Sequence, residues 1–165
     1  MKRLVLTVNA NVCSYVFGND SGFSPVRDAL FGGCPKAWSV GHGGKPTDEL
    51  QQVSDASRAL VALDRAGRTV VVTLGQVEHE TASIAALGSC LSDDQPVIAV
   101  ARLSKARTLW SHDQALIKDF TNTMLIANPR GRVHKEARHR NVLLGRWQRP
   151  LTTPESSHET SRIPG

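Results

Sequence analysis

Short apolar runs without helical spacing alternate along this chain with longer segments whose apolar residues recur at helical spacing. Residues 4–8 (LVLTV), 69–73 (TVVVT) and 108–110 (TLW) are predicted to be strands. Residues 48–66 and 75–87 carry the helical spacing instead. Strands that alternate with helices imply a parallel sheet with helices on both faces. We therefore expect a three-layer α/β/α fold with a mostly parallel central sheet.

The remaining segments give weaker patterns. Residues 18–44 are rich in Gly, Pro, Ser and Asp, which predicts a loop with one short helix around residues 26–31. Residues 96–103 are mostly apolar, and their pattern leaves a strand and a buried helix equally open. Further along the chain we expect three elements, namely a helix over residues 113–120, a strand over 124–127 and a last helix over 136–144.

The length of 165 residues is enough for one domain with a hydrophobic core, which we place at residues 1–149. Residues 150–165 (PLTTPESSHETSRIPG) have almost nothing to bury and are predicted to form a disordered tail. No apolar run approaches the ~18 residues of a membrane-spanning helix. The first apolar run is also too short for a signal peptide, so we expect a cytoplasmic protein without a membrane partner.

The charge distribution permits an anionic partner. The net charge is +5, and one C-terminal segment carries seven basic residues against the single acid Glu136: Arg130, Arg132, Lys135, Arg138, Arg140, Arg146 and Arg149. Such a patch attracts phosphates without reading sequence, and Arg130, Arg132 and Lys135 are the predicted contacts to an RNA backbone. The alternative, a solvated face of the last helix, stays open.

Polar side chains follow the predicted strands or begin the predicted helices. They are Asn9, the pair Glu78 and Glu80, Asp94 and Asp113. In parallel sheets, ligand sites form outside the carboxyl ends of the strands. Oxygen-bearing side chains that converge there suit a hard divalent cation such as Mg²⁺. Each residue also has a structural alternative: the aspartates as helix caps, the glutamates as surface charges, and Asn9 as a buried amide that holds a loop.

The order of these residues resembles that of PIN domains over residues 4–144. In that family an acid begins an apolar helix, and a strand then ends in a Ser/Thr-x-Asp motif. Here Asp94 precedes PVIAVA, and Ser111-His112-Asp113 follows TLW. PIN domains also begin with a strand that ends in Asp-x-Asn-Val, which matches Asn9 through Val12 (NANV).

The family carries a further acid in a helix after the second strand. Because TVVVT is the second predicted strand, Glu80 fits that position best and Glu78 is the reserve. The resemblance implies a metal-dependent endoribonuclease of the toxin–antitoxin or RNA-processing kind. Its Mg²⁺ or Mn²⁺ would be held by Asn9, Glu80, Asp94 and Asp113. Asn11, Ser111 and Asp119 would support them, and the implied partners are RNA, an antitoxin or other protein, and a second copy of the chain.

One position departs from the family, because Asn9 stands where the first metal-binding aspartate belongs. An amide oxygen ligates a metal but brings no negative charge, so metal affinity and water activation should both fall. Three explanations stay open: an engineered inactivating change, a natural non-cleaving module that binds RNA or protein, or a nuclease for which the other acids suffice.

Overall fold

A parallel sheet of five strands organises the residues that the computed structural model describes, which are 5–19, 27, 30–31, 38–127 and 130–134. The strands are β1 (Val5–Val8), β2 (Ser39–Gly43), β3 (Thr69–Val72), β4 (Thr108–Trp110) and β5 (Arg132–His134). Their order across the sheet is β3-β2-β1-β4-β5, and each neighbouring pair is parallel. The predicted α/β class with a parallel central sheet is confirmed.

Helices cover both faces of the sheet. Those in the described residues are α1 (Ala10–Phe17), α2 (Gly44–Gln51), α3 (Ser54–Arg65), α4 (Leu74–Leu87), α5 (Gln95–Ser104) and α6 (Gln114–Thr121). Successive strand residues point to opposite faces, so the sheet contributes to two separate cores. Leu6 and Trp110 pack with the apolar residues of α1 and α3, whereas Val5 and Leu109 pack with those of α5 and α6. This arrangement is the predicted three-layer one.

The strand β2 was not predicted, because its sequence SVGHG has few of the residues that favour strands. Its glycines are required by packing. A Cβ at Gly41 would lie 2.3 Å from the Ser104 hydroxyl on α5, and one at Gly43 would lie 2.2 Å from the Val72 carbonyl oxygen. The glycines therefore let α5 and β3 approach β2 closely. Such a close approach is a common reason for glycine inside a strand.

Two other predictions are wrong, and one open alternative is resolved. The helix predicted over residues 48–66 is two helices, α2 and α3, which are separated at Gln52 and Val53. Residues 124–127 form turns rather than a strand, and Met124 is 69% exposed. The apolar segment over residues 96–103 is helical and lies within α5.

Some predicted elements lie outside the described residues. Among these are the helix over 136–144 and the tail over 150–165, so the domain limit at residue 149 stays a prediction. In the short helix predicted around residues 26–31, Arg27, Leu30 and Phe31 are helical. Within the described part of the chain, no helix combines the length and the apolar character that a membrane crossing needs.

The close contact at β2 predicts opposite results for one substitution at two glycines. Gly41→Ala should lower the free energy of unfolding by about 1–3 kcal/mol, because the new methyl group overlaps Ser104. Gly75→Ala in α4 has nothing within 4 Å and should raise it by about 0.4–1 kcal/mol. Urea unfolding of both variants checks this, and an unchanged midpoint for Gly41→Ala would contradict the packing of α5 on β2.

Candidate functional site

The strand order reverses between β1 and β4, and the candidate site lies where their carboxyl ends meet. Ligands of open parallel sheets bind outside the carboxyl ends at such a point. Asn9 follows β1 directly, and Ser111 follows β4 directly. The backbone amide of Asn9 donates to the Trp110 carbonyl oxygen at 2.9 Å. This hydrogen bond extends the pairing of β1 with β4 to the edge of the crevice.

The side chain of Asn9 joins the two strand ends. It is 7% exposed, and its Nδ2 donates to the Ser111 hydroxyl oxygen at 3.2 Å. Asn9 also occupies the N-cap position of α1, yet its side chain makes no capping hydrogen bond. The amide is therefore directed toward the crevice rather than toward its own helix.

Asp113 begins α6 and belongs to the same group. Its Oδ1 accepts a hydrogen bond from the Leu116 backbone amide at 2.9 Å. Asp113 therefore caps α6, which is the structural alternative that the sequence left open for it. Its own backbone amide donates to the Ser111 hydroxyl at 3.0 Å. Next to it, the backbone amide of His112 donates to Asn11 Oδ1 at 3.4 Å. Ser111 and Asn11 thus link the end of β4 to the start of α1.

Asp94 completes the group from the first turn of α5. It stands at the N-cap position, but its side chain makes no capping bond, and Pro96 follows in the first turn. Burial raises the pKa of the Asp94 carboxyl, and the neighbouring carboxylate of Asp113 raises it further. A hydrogen bond with the Asn9 side chain and the charge of Lys45 act in the opposite direction. The two acids are therefore close enough for their charges to interact.

Glu80 is not brought to this group. Its Oε1 lies 2.8 Å from Arg102 Nε, in an ion pair between α4 and α5. Arg102 is eight residues beyond Asp94, a distance of about 12 Å along the helix axis. The reserve position, Glu78, is exposed. Among the described residues, no three His, Cys, Asp or Glu side chains are arranged to hold a metal ion.

The assignment of Glu80 depended on the strand count, and that count was wrong. TVVVT forms β3, and the helix that follows the actual second strand is α2. Glu49 lies on α2 and is half-buried, while its neighbour Asp48 is exposed. α2 packs against α1 and α5, the helices that begin at Asn9 and Asp94. Pro46, in the first turn of α2, was the sequence signal for a helix start there.

Asp119 supports the site through a loop. This buried carboxylate on α6 accepts hydrogen bonds from the backbone amides of Leu91 and Ser92, both at 2.8 Å, and from the Cys90 thiol at 3.1 Å. Burial alone would raise the pKa of Asp119, but these donors outweigh burial and lower it. Burial and the same contact with Asp119 raise the pKa of Cys90 to about 11. The loop that leads into Asp94 is therefore fastened to the helix that begins at Asp113.

The predicted RNA contacts lie away from the acidic pair. Arg132 is the first residue of β5 and is level with Thr108, so it lies at the amino edge of the sheet. Arg130 precedes it and donates from Nε to the Thr121 carbonyl oxygen at 2.9 Å. Lys135 lies outside the described residues. The positively charged side chain that acts on Asp94 is instead Lys45, which was not predicted as a site residue.

Comparisons with known proteins give little beyond this geometry. No protein-family model matches the chain, and no curated protein matches it. One solved structure that is similar to it is that of VapBC2 from Rickettsia felis bound to a DNA fragment from their promoter. The similarity covers 80% of this chain and 100% of that one, with 16% identity and a TM-score of 0.43. These values are too low to identify a family, a substrate or a partner.

The role of Asp119 predicts a particular dependence of stability on pH. Because its folded pKa lies below the ordinary value of 3.8, its contribution is complete above that value and is lost as pH falls through the folded pKa. Asp119→Asn should therefore lower the free energy of unfolding at neutral pH by about 1.5–3 kcal/mol. Urea unfolding should show that the difference in free energy of unfolding between the original chain and Asp119→Asn becomes smaller at acidic pH. Asp48→Asn, an exposed control, should change little at either pH.

Proposed function

We propose that the group at the carboxyl edge binds a divalent cation, Mg²⁺ or Mn²⁺, and serves metal-dependent hydrolysis of phosphodiester bonds in RNA. The observation that carries the proposal is that Asp94 and Asp113 begin two helices beside the point where the strand order reverses, close enough for the charge of Asp113 to raise the pKa of Asp94. A carboxylate whose pKa is raised by the charge of a second carboxylate favours a cation beside it. Proteins hold Mg²⁺ with as few as one or two carboxylates, together with water and substrate phosphates.

The residues present fit this donor set. Asp94 does not use its carboxylate to cap its own helix, so the charge is directed to the crevice. The cap that Asp113 forms on α6 uses one of its two carboxylate oxygens, Oδ1. When bound, the cation would lower the pKa of a bound water and offset the negative charge of the phosphate. Asn9 would orient Asp94, and Ser111 would hold Asn9 and Asp113 in register.

The other proposed roles follow from position. Lys45 is near enough to Asp94 to affect its pKa, and we assign it a contact to a substrate phosphate. Glu49 is the half-buried acid on α2, the helix after the second strand, and we propose it in place of Glu80. RNA as substrate, a protein partner, a homodimer and a cytoplasmic location all stay predictions.

A second function is favoured by a specific contact. The Asn9 side chain donates to Ser111 and hydrogen-bonds Asp94, so an amide N–H partly offsets the charge that a cation would offset. A group satisfied in this way suits a non-cleaving module that binds RNA or protein. An aspartate at position 9 would add a third carboxylate instead, and the group would then depend on a cation.

Cation binding predicts a change in thermal stability. Asp94→Asn should raise stability in EDTA, because it removes a carboxylate whose pKa is raised in the fold. Mn²⁺ should raise the melting temperature of the original chain by mass action, but not that of Asp94→Asn. Asp64→Asn, which removes an exposed carboxylate in the last turn of α3, should respond to Mn²⁺ like the original chain. An equal response of all three proteins would contradict a cation at Asp94.

Cleavage tests the two functions against each other. The original chain and Asn9→Asp are incubated with Mn²⁺ and labelled single-stranded and structured RNA. Since the added carboxylate strengthens the cation site, Asn9→Asp should cut at least about tenfold faster. In that background Glu49→Gln should slow cleavage and Glu80→Gln should not. Cleavage by neither protein, together with no Mn²⁺ binding, would overturn the nuclease function and favour the binding module.

A further inference from the structure

Two exposed rings lie at the rim of the crevice between β1 and β4. Tyr15 projects from α1, and His112 lies between Ser111 and Asp113 after β4. Their ring centroids are 6.1 Å apart, and the ring planes are tilted by 51°. The contact therefore spans the two halves of the sheet directly beside the acidic pair.

Packing of the core does not account for this pair. α1 buries Val12 and Val16 against the sheet, while Asn11 and Tyr15, one helical turn apart, lie on its outer face. Tyr15 is 47% exposed, and His112 is exposed as well. The backbone amide of His112 donates to Asn11 Oδ1 on α1, so the segment that carries the ring is tied to the helix that carries Tyr15.

We infer that Tyr15 and His112 form a stacking platform for a base of single-stranded RNA, next to the phosphate that a cation at the acidic pair would hold. The inference rests on the proposed function and adds to it the side chains that hold a base beside the acidic pair. Aromatic rings bind bases of single strands by stacking, and this binding tolerates any sequence. In a duplex the bases are stacked on one another, so their faces are not available to the two rings.

Positive charge accompanies the platform. Arg27 Nη1 donates to the carbonyl oxygens of Tyr15 and Val16, at 3.3 Å and 3.4 Å, so a guanidinium lies at the end of α1 that carries the ring. Lys45 is near enough to Asp94 for its charge to act on that carboxyl. Two positively charged side chains, one at the platform and one beside the acidic pair, suit an RNA backbone that passes the pair while its bases lie over the rings.

Binding is measured in EDTA, so that neither a cation nor cleavage is needed. The probes are a short labelled oligoadenylate, an abasic ribose-phosphate chain of the same length, and a duplex. Tyr15→Leu should weaken oligoadenylate binding by about five- to hundredfold, whereas Tyr15→Phe should retain it. His112→Leu should weaken it in the same direction. Phe31→Leu is the matched control, since Phe31 is similarly exposed at 44% and should be without effect.

The outcomes separate the platform from the nuclease. Loss of affinity in Tyr15→Leu for oligoadenylate, with no change for the abasic chain, supports the platform even if no cleavage is ever observed. Equal affinity of Tyr15→Leu and the original chain overturns the platform, and it leaves intact a nuclease function that Asn9→Asp reveals. Failure of the original chain to bind any probe also overturns the platform, and it then favours a protein as the occupant of this surface.

Discussion

The pairing of β1 with β4 is the contact on which the rest of the described molecule depends. The partners are far apart in sequence, since Leu6 lies opposite Thr108 and Val8 opposite Trp110. β2 and β3 extend the sheet on one side of this pair, and β5 extends it on the other. Asn9 and Ser111 meet only because the register places the two strand ends level. A slip by one residue would turn every buried side chain of a strand to the opposite face.

β1 and β4 are predictable from the sequence because they are buried and largely apolar, and β3 because its β-branched residues favour strands. Two strands were not predicted. β5 is a three-residue strand, RVH, without an apolar run, and β2 contains glycines that close packing requires but that no local pattern indicates. The omission of β2 shifted the strand count and moved the predicted acid from α2 to Glu80. Asn9, Asp94 and Asp113 were identified because each stands at a strand end or a helix start, where position alone directs it to the crevice. Two features are visible only in three dimensions: the hydrogen bonds by which Asp119 holds the loop, and the positive charge of Lys45 near Asp94.

The residue at position 9 decides how the charges in the crevice are balanced. With asparagine, the group contains two interacting carboxylates and a neutral donor that contacts one of them. The hydrogen bond from Asn9 to Asp94 partly offsets the repulsion between the two carboxylates. A third carboxylate in the same volume would destabilise the fold until a cation neutralised it. An aspartate at position 9 would therefore lower the stability of the fold while it added a ligand for the proposed cation.

The proline in the first turn of α5 affects whether a negatively or a positively charged ligand is favoured there. A helix N-terminus usually presents several unpaired amide hydrogens, and these attract anions. Pro96 has no amide hydrogen, and the amide of Val97 already donates to the Asp94 carbonyl oxygen at 2.9 Å. The end of α5 is thus depleted of donors at the place where a carboxylate faces the crevice. An anion that reached it would find repulsion with little compensation, whereas a cation would meet oxygen atoms.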